Sequence, residues 1–537
     1  MRPSKTSVIA VGLATCLQIL VANTVQAQAS AASEAATTTM HMTSREIVVD
    51  VMVTDAKGNP VVGLQRSDFA LEENGKAQPI RSFKEFSSTV PAAGPAAPKL
   101  PDQVYTNSHQ MPASGPVNIF LLDAMHTQSF DMVNAKLAIT KYLTTMPQGT
   151  QVAVFWLAEN GLHMLQNFTS DRDALIKVVN TDRIDFGTTG NRLSSKYATF
   201  QAIDQISAYV ASVKGRKNLI WITPNMPIDL MRDGGYGWGD MDSTLVGHYM
   251  DTYELLTKSQ IAVCPMDPTG VTDADMAPKL KVEAVAEDTG GEAIYNTNDL
   301  APGIAKVIDD GSHFYTMTYI PPSVKDDGRY HHINVTVNQP GVHLVFRKGY
   351  NAERVPTIDA PAPGPALMKA AMEGNAPAAT QFLFDAGVWA SATPTAAPAP
   401  TDKKSAKAAA KALVQYEVHY GFPSSEIAFT SDADETFHGT LEFDVVGYDV
   451  VRGRVALLTQ TVKMSLTLEK YEELISKPFT FTQKIELPPG QITLRAGILD
   501  TVSNKVGTLE VPLLVSPENV QQKTKPNVAR MRPAFGR

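Results

Sequence analysis

The sequence predicts an α/β domain with a doubly wound, mostly parallel sheet, inserted in a small β-sandwich and followed by a separate C-terminal β-sandwich. Three observations lead there. Between 117 and 310, short apolar runs alternate with amphipathic helical stretches, the pattern of strands covered on both faces. On either side of that block, apolar and polar residues alternate with period two, as in half-buried strands. Pro/Ala-rich stretches without hydrophobic period separate the blocks.

Composition agrees with several folded units and excludes some functions. The chain has 537 residues, enough for about three domains. With 43% hydrophobic and 19% charged residues it can bury cores and is no polyelectrolyte. Its 47 Lys and Arg against 55 Asp and Glu leave a net charge of −8, which argues against nucleic-acid partners. Two cysteines exclude a disulfide scaffold and a multi-cysteine metal site. Arg2 and Lys5 precede an apolar run from Val8 to Val21, then small residues around Ala27 and Ala29. This is the order of a secretory signal peptide over 1–29, too short in its apolar part to span a bilayer. No later stretch is apolar for long enough to span one, so the expected location is the periplasm or outside the cell, with no transmembrane helix after signal removal.

The elements follow in order. Residues 45–90 read as the first half of a β-sandwich: Ile47–Val53 alternates, Lys57-Gly-Asn-Pro60 turns, and Phe69–Leu71 and Ile80–Phe83 follow as strands. Residues 91–116, rich in proline, read as an extended linker. The α/β block of 117–310 begins with a strand at Val117–Leu122 ending on Asp123, then a helix near 130–145. Gln151–Leu157 and Leu162–Phe168 read as a hairpin, followed by helices near 171–180 and 196–213. Strands at Asn218–Thr223, Ile261–Cys264 and Glu292–Tyr295 alternate with helices near 243–258, 277–288 and 299–310. Residues 311–352 read as the second half of the sandwich, with Val49, Val51 and Val53 sharing a core face with Val335 and Val337. Residues 353–378 read as a linker with a short helix, 379–515 as the C-terminal sandwich interrupted by a Pro/Ala/Lys linker at 391–411, and 516–537 as a loose tail. Pro512, which has no N–H for a sheet ladder, marks the last strand as an edge.

Several blocks resemble the von Willebrand factor type A fold: Asp123-Ala-Met-His-Thr127, Asn167–Asp171, Gly215–Thr223 and Asp288–Tyr295. With the flanks Gly63–Gly75, Tyr319–Pro322 and Arg347–Tyr350, the chain resembles the von Willebrand factor type A-related domain family of acidobacterial exported proteins over about 45–352. The resemblance implies a site for Mg²⁺ at the carboxyl ends of the strands, built from Asp-x-Ser-x-Ser, a loop Thr and a later Asp. Here Asp123 and Thr127 keep oxygen ligands, Met125 offers a thioether that Mg²⁺ does not favour, and Thr188 or Thr189 stands where the loop hydroxyl belongs. Pro224-Asn225 replaces the later Asp-Gly. The site therefore reads as degenerate, with Asp123, Thr127 and Thr188 as residual metal candidates, Asp123 capping local amides, and no cofactor expected.

Other constellations add no catalytic site. The sequence lacks His-Glu-x-x-His, Gly-x-Ser-x-Gly and a P-loop. His331 and His332 are adjacent in a strand and point to opposite faces. Asp240–Ser243 reads as helix capping, and Cys264 as a buried structural thiol. Tyr236 and Trp238, among glycines, offer rigid contact area. The expected function is protein binding, not catalysis, with Asp123, His126, Thr127, Asn225, Tyr236 and Trp238 as candidate contact residues and a protein partner in the cell envelope or outside the cell. The alternatives are a Mg²⁺-dependent adhesin using Asp123 and Thr127, and a hydrolase with an unrecognised site.

Overall fold

The computed structural model describes residues 46–87, 100–108, 116–181, 192–224, 243–271, 277–321, 329–352, 363–391, 413–432 and 434–516. The expected signal peptide, the loop residues Thr188, Thr189, Asn225, Tyr236, Trp238 and Asp240, and the tail beyond 516 lie outside them. Among the described residues, no helix is long and apolar enough to cross a membrane.

The first strands are β1 (Ile47–Thr54), β2 (Phe69–Glu73), β3 (Lys76–Gln78) and β4 (Ser82–Ser87), followed by a short β5 (Val104–Thr106). The α/β block comprises β6 (Val117–Asp123), α1 (Ser129–Thr145), β7 (Val152–Ala158), β8 (Gly161–Thr169), α2 (Arg172–Val179) and α3 (Arg192–Tyr209). It continues with β9 (Lys217–Ile222), α4 (Ser243–Lys258), β10 (Ile261–Met266), α5 (Ala277–Thr289) and α6 (Ala301–Asp310). Its sheet runs β10-β9-β6-β7-β8, parallel except for β8. Read from β8, the strands come third, second, first, fourth and fifth in this block, the doubly wound order. Every residue of β6, β7, β9 and β10 is buried, as strands covered on both faces require. Ile119 and Leu121 join a core with Phe200, Ile203 and Ile206 of α3, whereas Phe120 and Leu122 join one with Met132 and Ile139 of α1. The alternation along one strand thus feeds two cores.

A strand expected at Glu292–Tyr295 is reduced to a single parallel bridge between Met266 and Ile294. Gly291 passes so close to β10 that a Cβ there would lie 2.0 Å from the Val263 carbonyl oxygen. Asn296, at φ 59°, then turns the chain out of the extended path.

Next come β11 (His313–Tyr319), β12 (Tyr330–Val337), β13 (His343–Phe346) and β14 (Gly349–Asn351). They pair with the strands before the α/β block: β1 lies between β13 and β11, and β2 pairs with β12, all antiparallel. The two sheets, β13-β1-β11-β4 and β14-β12-β2-β3, share a core of Val49, Val51, Val53, Met317, Ile333 and Val335, with Val337 packed at its margin.

The rest of the chain forms α7 (Pro363–Ala371), β15 (Asp385–Ala390), β16 (Val414–Pro423), β17 (Thr430–Ser431), β18 (Phe437–Asp449) and β19 (Gly453–Leu466). It ends with α8 (Leu468–Ile475), β20 (Pro478–Leu487), β21 (Gly490–Asp500) and β22 (Lys505–Val515). Sheets β20-β16-β15-β5 and β17-β18-β21-β22, the latter with β19 on β18, enclose Phe382, Phe384, Phe422, Phe443 and Leu494.

One linker expectation is corrected here, and the short helix expected within 353–378 is present. Within 91–116, Val104–Thr106 is a strand that pairs with Asp385–Gly387, because its Val-Tyr-Thr sequence suits a sheet edge. Within 353–378, α7 is a packed element: Leu367, Met368, Ala371 and Met372 are buried against Ala208 of α3 and Leu499 and Val506 of the C-terminal sheet. Thr380 ties the same two regions, its hydroxyl donating to the Ala208 and Tyr209 carbonyl oxygens at 3.1 and 2.9 Å.

Candidate functional site

In a doubly wound sheet the crevice opens at the carboxyl ends of the strands where the winding reverses, here between β6 and β9. β6 ends on Asp123, and Thr223 follows β9. Asp123 has the strand parity of Ile119 and Leu121, so its carboxyl group starts on the side facing α3. The register sets Trp221 opposite Leu121, one strand away and on that same side.

Asp123 is fully buried, and its carboxylate is saturated from within the chain. The amides of Met125 and His126 donate to Oδ1 at 3.1 and 3.2 Å. His126 folds back so that Nδ1 lies 2.9 Å from Oδ1 and 2.8 Å from Oδ2. The Trp221 indole Nε1–H donates to Oδ2 at 3.0 Å. An ionised carboxylate only accepts, so the proton between them sits on Nδ1. A carboxylate has about four lone-pair sites, and these donors occupy them.

The turn that follows is held by the Thr127 amide donating to the Asp123 carbonyl oxygen at 3.1 Å. The Met125 side chain packs against the core beneath α3 and α4. Nε2 of His126 and Oγ1 of Thr127 are buried without a hydrogen-bond partner among the described residues. Thr223 is buried and its amide donates to the Met266 carbonyl oxygen at 3.0 Å.

Two more carboxylates lie at this end. Asp267 follows β10, and its Oδ1 accepts from the amide and hydroxyl of Thr269 at 2.9 and 2.7 Å. Asp131, in the first turn of α1, has its carboxyl pKa raised by burial and then by the negative charge of Asp267.

As arranged, these side chains do not fit a Mg²⁺ shell. The oxygens of Asp123 that would face a cation are covered by His126 Nδ1, and Met125 points into the core. Among the described residues, no group of three His, Cys, Asp or Glu side chains gathers where a metal ion could be held.

The structure thus brings together Asp123, His126 and Thr127, while Thr188, Asn225, Tyr236 and Trp238 lie outside the described residues. Sequence reasoning missed Trp221, Asp131 and Asp267. Only strand parity could have pointed to Trp221, because its link to Asp123 spans 98 positions. The histidines of β12 are separated as expected from strand geometry: His331 Nδ1 lies 2.9 Å from Oε1 of Glu73, and His332 meets the Tyr330 ring at 4.9 Å. Cys264 is a free, buried thiol, its pKa pushed up to about 11 by burial despite the opposing charge of Arg216.

No family model matches the chain, and no curated protein does. Solved structures similar to it include proximal thread matrix protein 1 from the mussel byssus, at 12% identity over 37% of this chain and 48% of that one, with a TM-score of 0.26. A von Willebrand factor type A protein from Catenulispora acidiphila is 10% identical over 55% of this chain and 76% of its own, with a TM-score of 0.27. The PilB minor pilin from Streptococcus sanguinis is 15% identical over 38% and 63%, with a TM-score of 0.25. The match spans about half the length of the mussel protein. Likenesses this low decide nothing about function, and the doubly wound fold stands on the chain's own strand order.

Proposed function

We propose that this chain is an exported protein-binding component whose α/β domain, von Willebrand factor type A-like, engages a protein partner without a bound metal. One observation carries the reading: His126 Nδ1 spans both oxygens of Asp123, 2.8 and 2.9 Å away, where a degenerate adhesion site would otherwise admit a cation. An internal polar network then holds the top of the sheet in shape, a role the cation plays in a metal-dependent site. The reading takes the α/β unit as inserted between 45–90 and 311–352, with a separate β domain over 379–515. It takes 1–29 as a secretory signal, places the mature chain in the periplasm or outside the cell, and assigns it no enzymatic activity.

The test is thermal unfolding of the mature protein with millimolar Mg²⁺ and with EDTA. A cation at 100 times its dissociation constant would stabilise the fold by ~2.7 kcal/mol, a shift of several degrees. The expected shift is below about one degree on that scale. A larger shift overturns the reading in favour of the Mg²⁺-dependent adhesin, which one observation favours: Thr127 Oγ1 is buried with no hydrogen-bond partner among the described residues.

A further inference from the structure

Two valines cap one end of the C-terminal sandwich. Between β18 and β19 the chain turns through Val450, Val451 and Arg452, and the valines are 86% and 91% exposed. The turn is pinned from beneath: Oδ1 of Asp449 accepts from the amides of Val451 and Arg452, both at 2.9 Å, and Oδ2 accepts from Arg452 Nη2 at 2.6 Å. Arg452 Nη2 also donates to the Pro489 carbonyl oxygen at 3.1 Å, which ties the tip to the turn between β20 and β21. These two amides and the carboxylate are thus occupied, and two apolar side chains point outward. More apolar surface lies at the same end, where Gly490 pairs with Val515 and Leu487 with Val414. Leu514 is 66% exposed, and Leu413, just before β16, is 55% exposed. Isolated exposed apolar residues need no explanation, whereas a group of them at one end marks a contact surface.

The charge carried to this end says what the surface meets. Among the described residues, Arg452 is ion-paired with Asp449, and the exposed Arg454 stands against the exposed Glu486, with Glu373 further in beside Tyr448. The tip itself is therefore close to neutral. The chain that leaves it after Ser516 is strongly basic: Lys523, Lys525, Arg530, Arg532 and Arg537 stand against Glu518 alone. Chain length keeps Lys523 within ~25 Å of Ser516, since an extended residue spans at most ~3.6 Å. The stretch that arrives at Leu413 has the same sign, with four lysines against one aspartate over 402–411.

We propose that the Val450–Val451 turn inserts shallowly into an anionic bilayer surface, to which the basic stretch 517–537 draws the protein. A small apolar anchor combined with basic residues is what such a surface holds, because anionic headgroups attract each Lys or Arg and the acyl boundary takes the apolar side chains. Amides already paired with Asp449 can enter that boundary without losing water as a partner. A protein partner suits the tip less well, since a few side chains on a turn fall far short of the roughly 800 Å² per partner of a stable interface. The inference goes beyond the protein-binding reading and is independent of the Asp123 network.

The test is flotation of the mature protein with vesicles of phosphatidylcholine, with and without phosphatidylglycerol. The protein should float with the phosphatidylglycerol vesicles, less so as salt rises, and not with phosphatidylcholine alone. The double variant Val450→Ser/Val451→Ser should weaken binding about tenfold. Lys523→Gln/Lys525→Gln should weaken it several-fold with a flatter salt dependence. Val62→Ser, at an exposed apolar position of the other sandwich, should leave binding unchanged. Insertion itself is read from an environment-sensitive fluorophore on Val451→Cys, whose emission should shift to the blue with phosphatidylglycerol vesicles; Cys264 is 1% exposed and does not compete for the label. The valines are exposed, so unchanged melting temperatures verify that the fold is intact.

Absence of flotation overturns the proposal, and so does equal flotation of wild type and the double valine variant, which would mean adsorption by charge alone. Equal binding to both kinds of vesicle overturns it as well. A concentration-dependent dimer in sedimentation that the double variant abolishes, with no vesicle binding, overturns it by giving the tip to a second copy. None of these outcomes touches the protein-binding reading, which stands or falls on the Mg²⁺ and EDTA melting test.

Discussion

Replacing Asp123 by alanine separates an internal structural network from a metal site. The change leaves four donors without their acceptor: the amides of Met125 and His126, Nδ1 of His126 and Nε1 of Trp221. Each buried unsatisfied donor costs ~1–3 kcal/mol, but the imidazole can reorient and water can enter the gap. Breaking a buried charged network as a whole costs ~3–5 kcal/mol. For a domain of this size 1 kcal/mol moves the melting temperature by ~2–4 °C, so the α/β transition should fall by roughly 6–20 °C. Calorimetry of the mature protein reads this directly, as wild type and variant, each in EDTA and in Mg²⁺. The fall should be the same in both conditions, because the acceptor lost serves the chain's own donors. A fall under about one degree in EDTA, with a large one in Mg²⁺, would refute the reasoning, since Asp123 would then stabilise the fold only through a cation.

Three further outcomes follow from other contacts. Trp221→Phe removes the indole donor to the Asp123 carboxylate and should cost ~1.5–3 kcal/mol in denaturant unfolding, the range for hydrogen bonds to charged groups. Lys217 is 2% exposed, and burial brings its pKa down to about 8 against the opposing pull of Asp50. The unfolded chain therefore holds this proton at pH values where the folded chain has lost it, so stability should rise from pH 8 toward 10.5; Lys217→Met should lack that rise in unfolding midpoints measured across the window. Gly291→Ala would set a Cβ 2.0 Å from the Val263 carbonyl oxygen, and it should lower stability by at least ~1–3 kcal/mol, the usual cost of overpacking, as read by the urea midpoint.

Much of this protein's local structure was legible in its sequence. The uninterrupted apolar run at Val117–Leu122 marks a strand buried on both faces, because every side chain has a core to enter. The alternation of Ile47–Val53 marks a strand with one face in a core, and the spacing of Met132, Ala135 and Ile139 marks the buried side of a helix. These signals are local, since periods of two and 3.6 residues come from backbone geometry alone. The place of Asp123 was legible too, as the polar residue that ends an apolar strand.

What Asp123 does was not legible. Its indole partner lies 98 positions away, and only the pairing of β6 with β9 sets Trp221 beside it. The strand at Val104–Thr106 was hidden for the same reason: three residues among prolines carry little signal of their own and become a strand only where Asp385–Gly387 offers an open edge. An exposed apolar stripe on α1 has the same cause. In the sequence Phe130, Val133 and Leu137 look like core residues, and only the packing of the opposite face against the sheet shows that they were left outside. Hydrophobic period tells which residues share a face, but it is the long-range docking of that face, paid for in chain entropy and decided by what packs against it, that determines whether it becomes core or stays at the surface.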